Sequence, residues 1–429
     1  MAGMAIEASY TKVEITPPLG LRLGGYAHRL GKPAREVHDD LYARLLMLTT
    51  ADAEVVIVQL DLLGLYRQDA LVIKEAVSKA TGVERGNVIV ASTHTHSAPE
   101  TIIPMWPNTL PYSEGERKLY NEWFSGIVGK VGEAARELNG TEKAEVAVGI
   151  GEAGGLCFNR SFKGGLVDEE LPILAVKIGN SRIALLNYAC HPVCNTDLGF
   201  SADYPGVLYD SLLRRGVESI FITGATGDID PVRKGRGYMG YMGEYLASTV
   251  VNALASLKPT GYTMDMVNIG LRLPARVVNE ELARVRYEEA LRKVKDKGGL
   301  PNEPTESIWA DEDYLRLMYS DEEYAVSKVS EANIDTEVTL LRLGDLLLVA
   351  IPGEPFVETG LAIKSKAVEL GFRVTMVAGY VNDYVGYIPT KASFIMNTYE
   401  ARLARWSRVT EEAEGLVRSR VFNAIKDIR

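Results

Sequence analysis

The chain has 429 residues, 46% of them apolar and 24% charged, with a formal net charge of −10 and a pI near 5.3. That is ample material for a large core. The acidic balance, with no basic cluster to neutralise phosphates, argues against nucleic acid or an anionic membrane as partner, and no apolar run is long enough to span a bilayer.

Met1 to Tyr10 contains Glu7 and has no basic head followed by an apolar stretch, so no signal peptide is expected and a cytoplasmic location is the default. Thr11 to Pro18 reads as a first strand stopped by Pro17-Pro18. The glycine-rich segment Leu19 to His28 lacks Gly-x-Gly-x-x-Gly spacing and a following helix, which excludes a dinucleotide loop. Residues 41–49 and 54–60 read as strands, the second ending at Asp61, and 69–81 has helical spacing. The apolar run 88–91 is a buried strand leading into Thr93-His94-Thr95-His96-Ser97. Two of only five histidines stand here, and in extended backbone residues i and i+2 face one side, so both imidazoles reach one point.

Residues 114–138 form a long amphipathic helix with Trp123, Ile127, Val128 and Val131 on its apolar stripe. Strands follow at 146–151, 173–178 and 182–188, the last running into Cys190-His191-Pro192. A helix at 206–215, a strand at 219–223 ending in Gly227-Asp228-Ile229-Asp230-Pro231, and a helix at 240–256 come next. Residues 279–331 break this alternation. They are rich in charge and read as an inserted helical segment, a candidate lid. A hairpin at 337–341 and 346–351 leads to Pro352-Gly353-Glu354, a strand at 372–377 leads to Tyr384-x-Gly386-Tyr387, and 399–428 reads as a closing helix. The fold class is therefore α/β, a mixed β-sheet core flanked by helices with an inserted helical segment, and residues 1–429 are read as one catalytic domain.

Asp61, His94, His191, Asp228, Glu354 and Tyr387 each lie just past the end of an apolar strand, where α/β sheets assemble their sites. Taken singly each has a plainer reading: a turn cap, a surface acid, a half-buried tyrosine. Their shared position favours a site. Two histidines, a carboxylate and a phenol suit one zinc ion with a position left for water. Cys190-His191-Pro192-Val193-Cys194 offers a thiolate alternative, but Cys157 gives no second pair, so the three cysteines are read as buried, unreactive thiols.

The ordered set Ile15-Thr16-Pro17, Gly25-Tyr26-Ala27, Thr93 to Ser97, Asn159-Arg160-Ser161, His191, Gly227-Asp228-x-x-Pro231, Pro352-Gly353-Glu354, Tyr384-x-Gly386-Tyr387 and Tyr399-Glu400 resembles the neutral, non-lysosomal ceramidases, which are zinc-dependent amidases. The resemblance implies one zinc ion held by His94, His191, Glu354 and Tyr387. It implies His96 beside the reacting carbonyl, and Arg160 and Tyr399 against the substrate or the developing oxyanion. Asp61 and Asp228 are candidates to orient the imidazoles. The chain departs from the family pattern at Asp230, which stands where the family has a catalytic serine, and it stops soon after the matching region. The expected function is hydrolysis of an N-acyl amide through metal-activated water, on a substrate smaller or more polar than ceramide, with a lipid-like part allowed. The alternatives are an esterase or lactonase using the same zinc site, and a metal-binding homologue without catalysis.

Overall fold

A computed structural model describes residues 6–51, 53–102 and 104–428. Two β-sheets packed face to face form its centre. The large sheet is built from β1 (Ile6–Glu14), β2 (Tyr42–Thr49), β3 (Glu54–Leu60), β4 (Val88–Ser92), β5 (Glu142–Glu152), β6 (Glu170–Ile178), β7 (Ser181–Tyr188) and β8 (Glu218–Thr223). Their spatial order is β8-β7-β6-β5-β1-β2-β3-β4, with the short strand Lys258–Pro259 added along β5. The second sheet runs β9 (Met264–Pro274), β10 (Asn333–Leu343), β11 (Leu346–Ala350) and β12 (Val374–Ala378) in that order. Most neighbours are antiparallel, but β3 and β4, β7 and β8, and β11 and β12 run parallel. Each parallel pair therefore presents two carboxyl ends on the same side.

Side-chain alternation sorts the core into layers. In β3, Ile57 turns toward the second sheet and packs with Leu46, Ile89, Leu348 and Met376. Its neighbours Val56 and Val58 turn the other way, onto the helices α1 (Arg67–Thr81), α2 (Glu114–Arg136), α3 (Tyr204–Leu213) and α4 (Arg236–Leu254). The outer face of the second sheet is covered by α7 (Val357–Glu369) and α8 (Ala413–Asp427), through Ile363, Ala367, Val417, Val421 and Ile425. Because β3 is apolar on both faces, one residue of slippage would cost no burial. The register is set instead by its neighbours and by Gln59 and Asp61 at its end. Helix α2 starts with a capping box, Ser113 accepting from the Glu116 amide and Glu116 from the Ser113 amide.

The insertion is helical, as expected. It holds α5 (Glu280–Asp296) and α6 (Glu312–Val326), and its apolar residues Tyr287, Val294, Ile308, Leu317 and Met318 form a separate cluster with Ala27, Leu30 and Trp106. It thus rests on loops at the carboxyl ends of the strands. Asp321 of α6 is buried and accepts from the Asn108 and Thr109 amides at 3.0 and 2.7 Å, which fastens it there.

Several expectations need correction. The first strand is Ile6–Glu14 and stops before Pro17, because β1 follows its partners β2 and β5. Strand β9 is not among the sequence expectations, although Val267, Ile269, Leu271 and Leu273 alternate with Asn268, Gly270 and Arg272 and all four pack into one apolar cluster. The segment 399–428 is not one helix. A single turn, Tyr399–Ala401, is followed by irregular chain, and α8 begins only at Ala413. Arg276 gathers the carbonyls of Ala401, Arg402 and Ser407 with its guanidinium, so tertiary bonds hold this stretch against its helical tendency. The cysteines are not all free thiols. Cys157 and Cys190 are joined in a disulfide, and Cys194 remains a buried thiol. Residues 1–5 of the stretch searched for a signal peptide lie outside the described residues. Among the described residues no helix is long and apolar enough to cross a membrane.

Candidate metal centre

The ends of both sheets are stitched together around one point. The segment 380–382 extends the exposed edge of β4: the Ser92 amide donates to Tyr380 O at 3.1 Å and the Asn382 amide to Val90 O at 2.7 Å. Just beyond β4, His94 takes φ of 65°, a left-handed conformation rare for a side chain with a Cβ, as does Tyr380 at 59°. The two strained residues face each other, rings stacked with centroids 4.0 Å apart. His94 and His96 do converge, Nε2 to Nε2 3.1 Å, but through this backbone kink and not through extended chain. The glycine before Tyr26 follows from the same crowding. Gly25 has φ of 83°, and a Cβ there would collide with the His96 ring.

His191 arrives from β7 and Glu354 from β11. Glu354 and Tyr387 sit side by side in a short parallel pairing, and the Glu354 amide donates to Gly386 O at 2.9 Å. Backbone carbonyls aim the imidazoles. His94 Nδ1 donates to Leu63 O at 2.6 Å and His191 Nδ1 to Ile229 O at 3.0 Å. With the proton on Nδ1, each ring turns its Nε2 lone pair inward. Both meet the same carboxylate oxygen: Glu354 Oε2 is 3.1 Å from His191 Nε2 and 3.6 Å from His94 Nε2. Nitrogens of His94, His96 and His191 all lie within 4.8 Å of one another.

Burial pushes the His94 imidazolium down to about 4, so the ring is neutral at pH 7, and it pushes His96 well below its usual range too. Burial alone would raise Glu354, but the facing imidazoles and the Tyr384 hydroxyl bring it down to about 2. Tyr384 donates a short hydrogen bond to Oε1, and the Tyr380 hydroxyl lies 3.1 Å from Oε2. The result is a fixed carboxylate surrounded by lone pairs, a set that a cation satisfies. The spacing fits as well. Two ligand atoms about 2.0–2.1 Å from a tetrahedral zinc ion lie roughly 3.3 Å apart, and the separations here are 3.1 and 3.6 Å. The donor set suits zinc.

Arg160 stands behind Tyr387. Antiparallel pairing of 229–231 with 157–159 brings it beside Asp230. Its guanidinium donates to Asp230 Oδ1 at 2.8 Å, Glu400 Oε1 at 2.9 Å, Gly227 O at 2.9 Å and the Tyr387 hydroxyl at 2.9 Å. Burial works against its charge, but Tyr387, Asp230 and Glu400 hold it firmly protonated. Asp230 is likewise held below the usual carboxylate range: burial would raise it, and Arg160 and His191 outweigh that. Tyr399 stands edge-on to Tyr387, ring centroids 6.0 Å apart. A cavity of about 30 Å³ touches His94, His96, Glu354, Tyr387 and Tyr399. Asp230 and Arg160 lie behind Tyr387 and do not line it.

All eight residues singled out as ligands or catalytic groups therefore belong to one cluster. The two carboxylates expected to orient imidazoles do other work. Asp61 Oδ2 pairs with Arg44 at 2.7 Å and accepts from the Tyr42 amide, while Oδ1 accepts from Gln59. Asp228 joins the Asn159 side chain to the Val357 amide at the start of α7. Carbonyls took the orienting role, which a sequence cannot show. Tyr380, Tyr384 and Glu400 were given no role from sequence. Tyr384 and Glu400 lay inside quoted motifs, but nothing in the sequence marked Tyr380.

No family model matches the chain, and no curated protein does. Solved structures that share its fold include two ceramidases. Neutral ceramidase from Pseudomonas aeruginosa superposes with a TM-score of 0.74 over 99% of this chain and 74% of that one, at 18% identity. A ceramidase complexed with C2 gives 0.72 over 99% and 75%, at 16% identity. The chain has the ceramidase fold across its whole described length.

Proposed function

We propose that the protein is a metal-dependent hydrolase of amide bonds, holding one zinc ion at His94, His191, Glu354 and Tyr387. The observation that carries this is the convergence of two inward imidazole lone pairs on one Glu354 oxygen. The ceramidase fold supports the choice of bond. Zinc in such a site supplies Lewis acidity and lowers the pKa of water toward roughly 7.

The remaining work falls to the chain. Tyr380 and Tyr384 keep Glu354 ionised and pointed inward. Arg160 donates to the Tyr387 oxygen and brings positive charge toward the place where a carbonyl oxygen gains negative charge. Asp230 and Glu400 fix Arg160 from behind. Because Asp230 is committed to Arg160, it takes no part as a free base and serves as a positioning residue. His96 has a buried Nδ1 without a partner among the described residues and lines the cavity, which sets its ring beside the reacting carbonyl. Tyr399, lining the same cavity, contacts the substrate. The small cavity and the acidic chain favour a compact, polar amide, linear and not cyclic.

The test is turnover of N-acyl 4-nitroanilides, with ester and lactone analogues alongside. Anilide hydrolysis lost on chelation and restored by zinc is expected. Hydrolysis of esters only would contradict the amide assignment.

A further inference from the structure

Beside the histidine centre lies a second, partly open chamber. It shares Met105, Tyr387, Tyr399 and Trp406 with the first cavity, so those four side chains are the wall between them. Its far side is Met318 and Glu322 of the inserted helix α6. The lining is apolar apart from a few groups, and three of these carry a buried atom without a partner among the described residues: Glu322 Oε1, Trp406 Nε1 and Arg402 Nε, whose guanidinium is held over the Tyr319 ring. Glu322 is only 5% exposed. Its Oε2 accepts from the Arg405 amide at 3.0 Å, and its Oε1 has no partner. The Trp406 indole N–H is also buried and has no acceptor.

A buried donor and a buried acceptor left unmade cost roughly 1–3 kcal/mol each. A ligand group able to give one hydrogen bond and take another would relieve both. A hydroxyl does this with a single atom. The chamber is about 30 Å³, room for only a few heavy atoms.

We propose that this chamber is a specificity subsite for a compact substrate arm tipped by a hydroxyl, which donates to Glu322 Oε1 and accepts from Trp406 Nε1. The inserted segment is then part of the recognition surface and not only a cover. The proposal rests on the hydrolase reading only in calling the ligand a substrate arm.

The test uses binding, which needs no turnover. The zinc-loaded protein is titrated calorimetrically with ω-hydroxyalkanoates of three to six carbons, and with alkanoates of equal heavy-atom count. The corresponding amino alcohols and alkylamines are run in parallel, since either product of amide cleavage carries the arm. At least one hydroxyl member should bind about tenfold more tightly than its methyl isostere, a gain of about 1.4 kcal/mol for two satisfied groups. Trp406→Phe keeps the ring and removes the N–H, and should bring that ratio to within about threefold of one. Glu322→Gln should lower it too, and carries the comparison alone if the tryptophan variant does not fold. Equal binding of hydroxyl and methyl series to the unaltered protein, or a preference untouched in both variants, would overturn the subsite. Anilide turnover on the same preparations separates the two readings. Turnover without hydroxyl preference removes the subsite alone, and hydroxyl preference without turnover removes the hydrolase alone.

Discussion

Replacing Arg160 with leucine should unsettle the site without emptying it. Arg160 makes four hydrogen bonds, two of them to carboxylates. The Glu400 side chain is 1% exposed and that of Asp230 13%. Without the guanidinium, Glu400 becomes a buried, unpaired charge, and it already has one oxygen without a partner. Breaking a buried pair on one side costs roughly 3–5 kcal/mol. Because Asp230 retains some water, the lower half of that range, about 3–4 kcal/mol, is the expectation. Urea unfolding at pH 7 of the unaltered protein, Arg160→Leu, and Arg160→Leu with Glu400→Leu measures it. The second substitution should return about half of the loss, since it removes the stranded charge. Zinc should stay bound through His94, His191 and Glu354, to which Arg160 makes no bond, but with affinity lowered by about 10- to 100-fold through the lost bond to Tyr387, while anilide turnover falls by about a hundredfold or more. A loss below about 1 kcal/mol, or no recovery in the double variant, would refute this account of Arg160.

Three further outcomes are expected. Tyr384→Phe and Tyr380→Phe each remove a hydroxyl from Glu354 and should weaken zinc affinity by about 10- to 100-fold, read from competition with a chromophoric chelator; unchanged affinity would exclude them from the centre. The Cys157–Cys190 bridge spans 33 residues, so reducing it should lower stability by roughly 3–4 kcal/mol on loop-entropy grounds, seen as a shifted urea midpoint with and without a phosphine reductant. Burial raises Glu100 and Glu322 to about 7 and Asp39 and Asp228 to about 6. These carboxyls take up protons more readily folded than unfolded, so their contribution is full below the unfolded values and is lost as pH rises through the folded ones. Stability should therefore fall between about pH 4 and 7 from these groups, and Glu100→Gln should flatten that slope; a slope unchanged in Glu100→Gln would exclude it as a source.

Much of the architecture was legible because apolar runs with turn residues between them are strong signals. The strand at 54–60 and the helix following it need only local pattern. The second sheet was half visible, since β11 and β12 are continuous apolar runs buried on both faces, whereas the alternation of Val267, Ile269, Leu271 and Leu273 in β9, a readable strand signal, went unused. The 399–412 stretch carries helix-forming residues, and only the remote Arg276 reveals why it stays irregular. The candidate site was legible in two ways: His94, His191, Glu354 and Tyr387 sit directly after strands, whose ends are predictable, whereas His96, Arg160, Asp230 and Tyr399 enter only through the resemblance to the ceramidases. What could not be read is how each is aimed. The Leu63 and Ile229 carbonyls are backbone groups with no sequence signature. Asp61 and Asp228 were credited with that task because carboxylates are visible in a sequence and carbonyls are not. Tyr380 escaped because its role depends on a left-handed turn beside His94.

The most direct measurement is the metal content of the purified protein and of His191→Ala, by mass spectrometry after dialysis against zinc. One zinc per chain in the unaltered protein, and less than about a tenth of that in the variant, is the expected result, since His191 supplies the lone pair closest to Glu354. A protein that takes up no metal, or a His191→Ala variant that keeps its full complement, would contradict a centre built at this point.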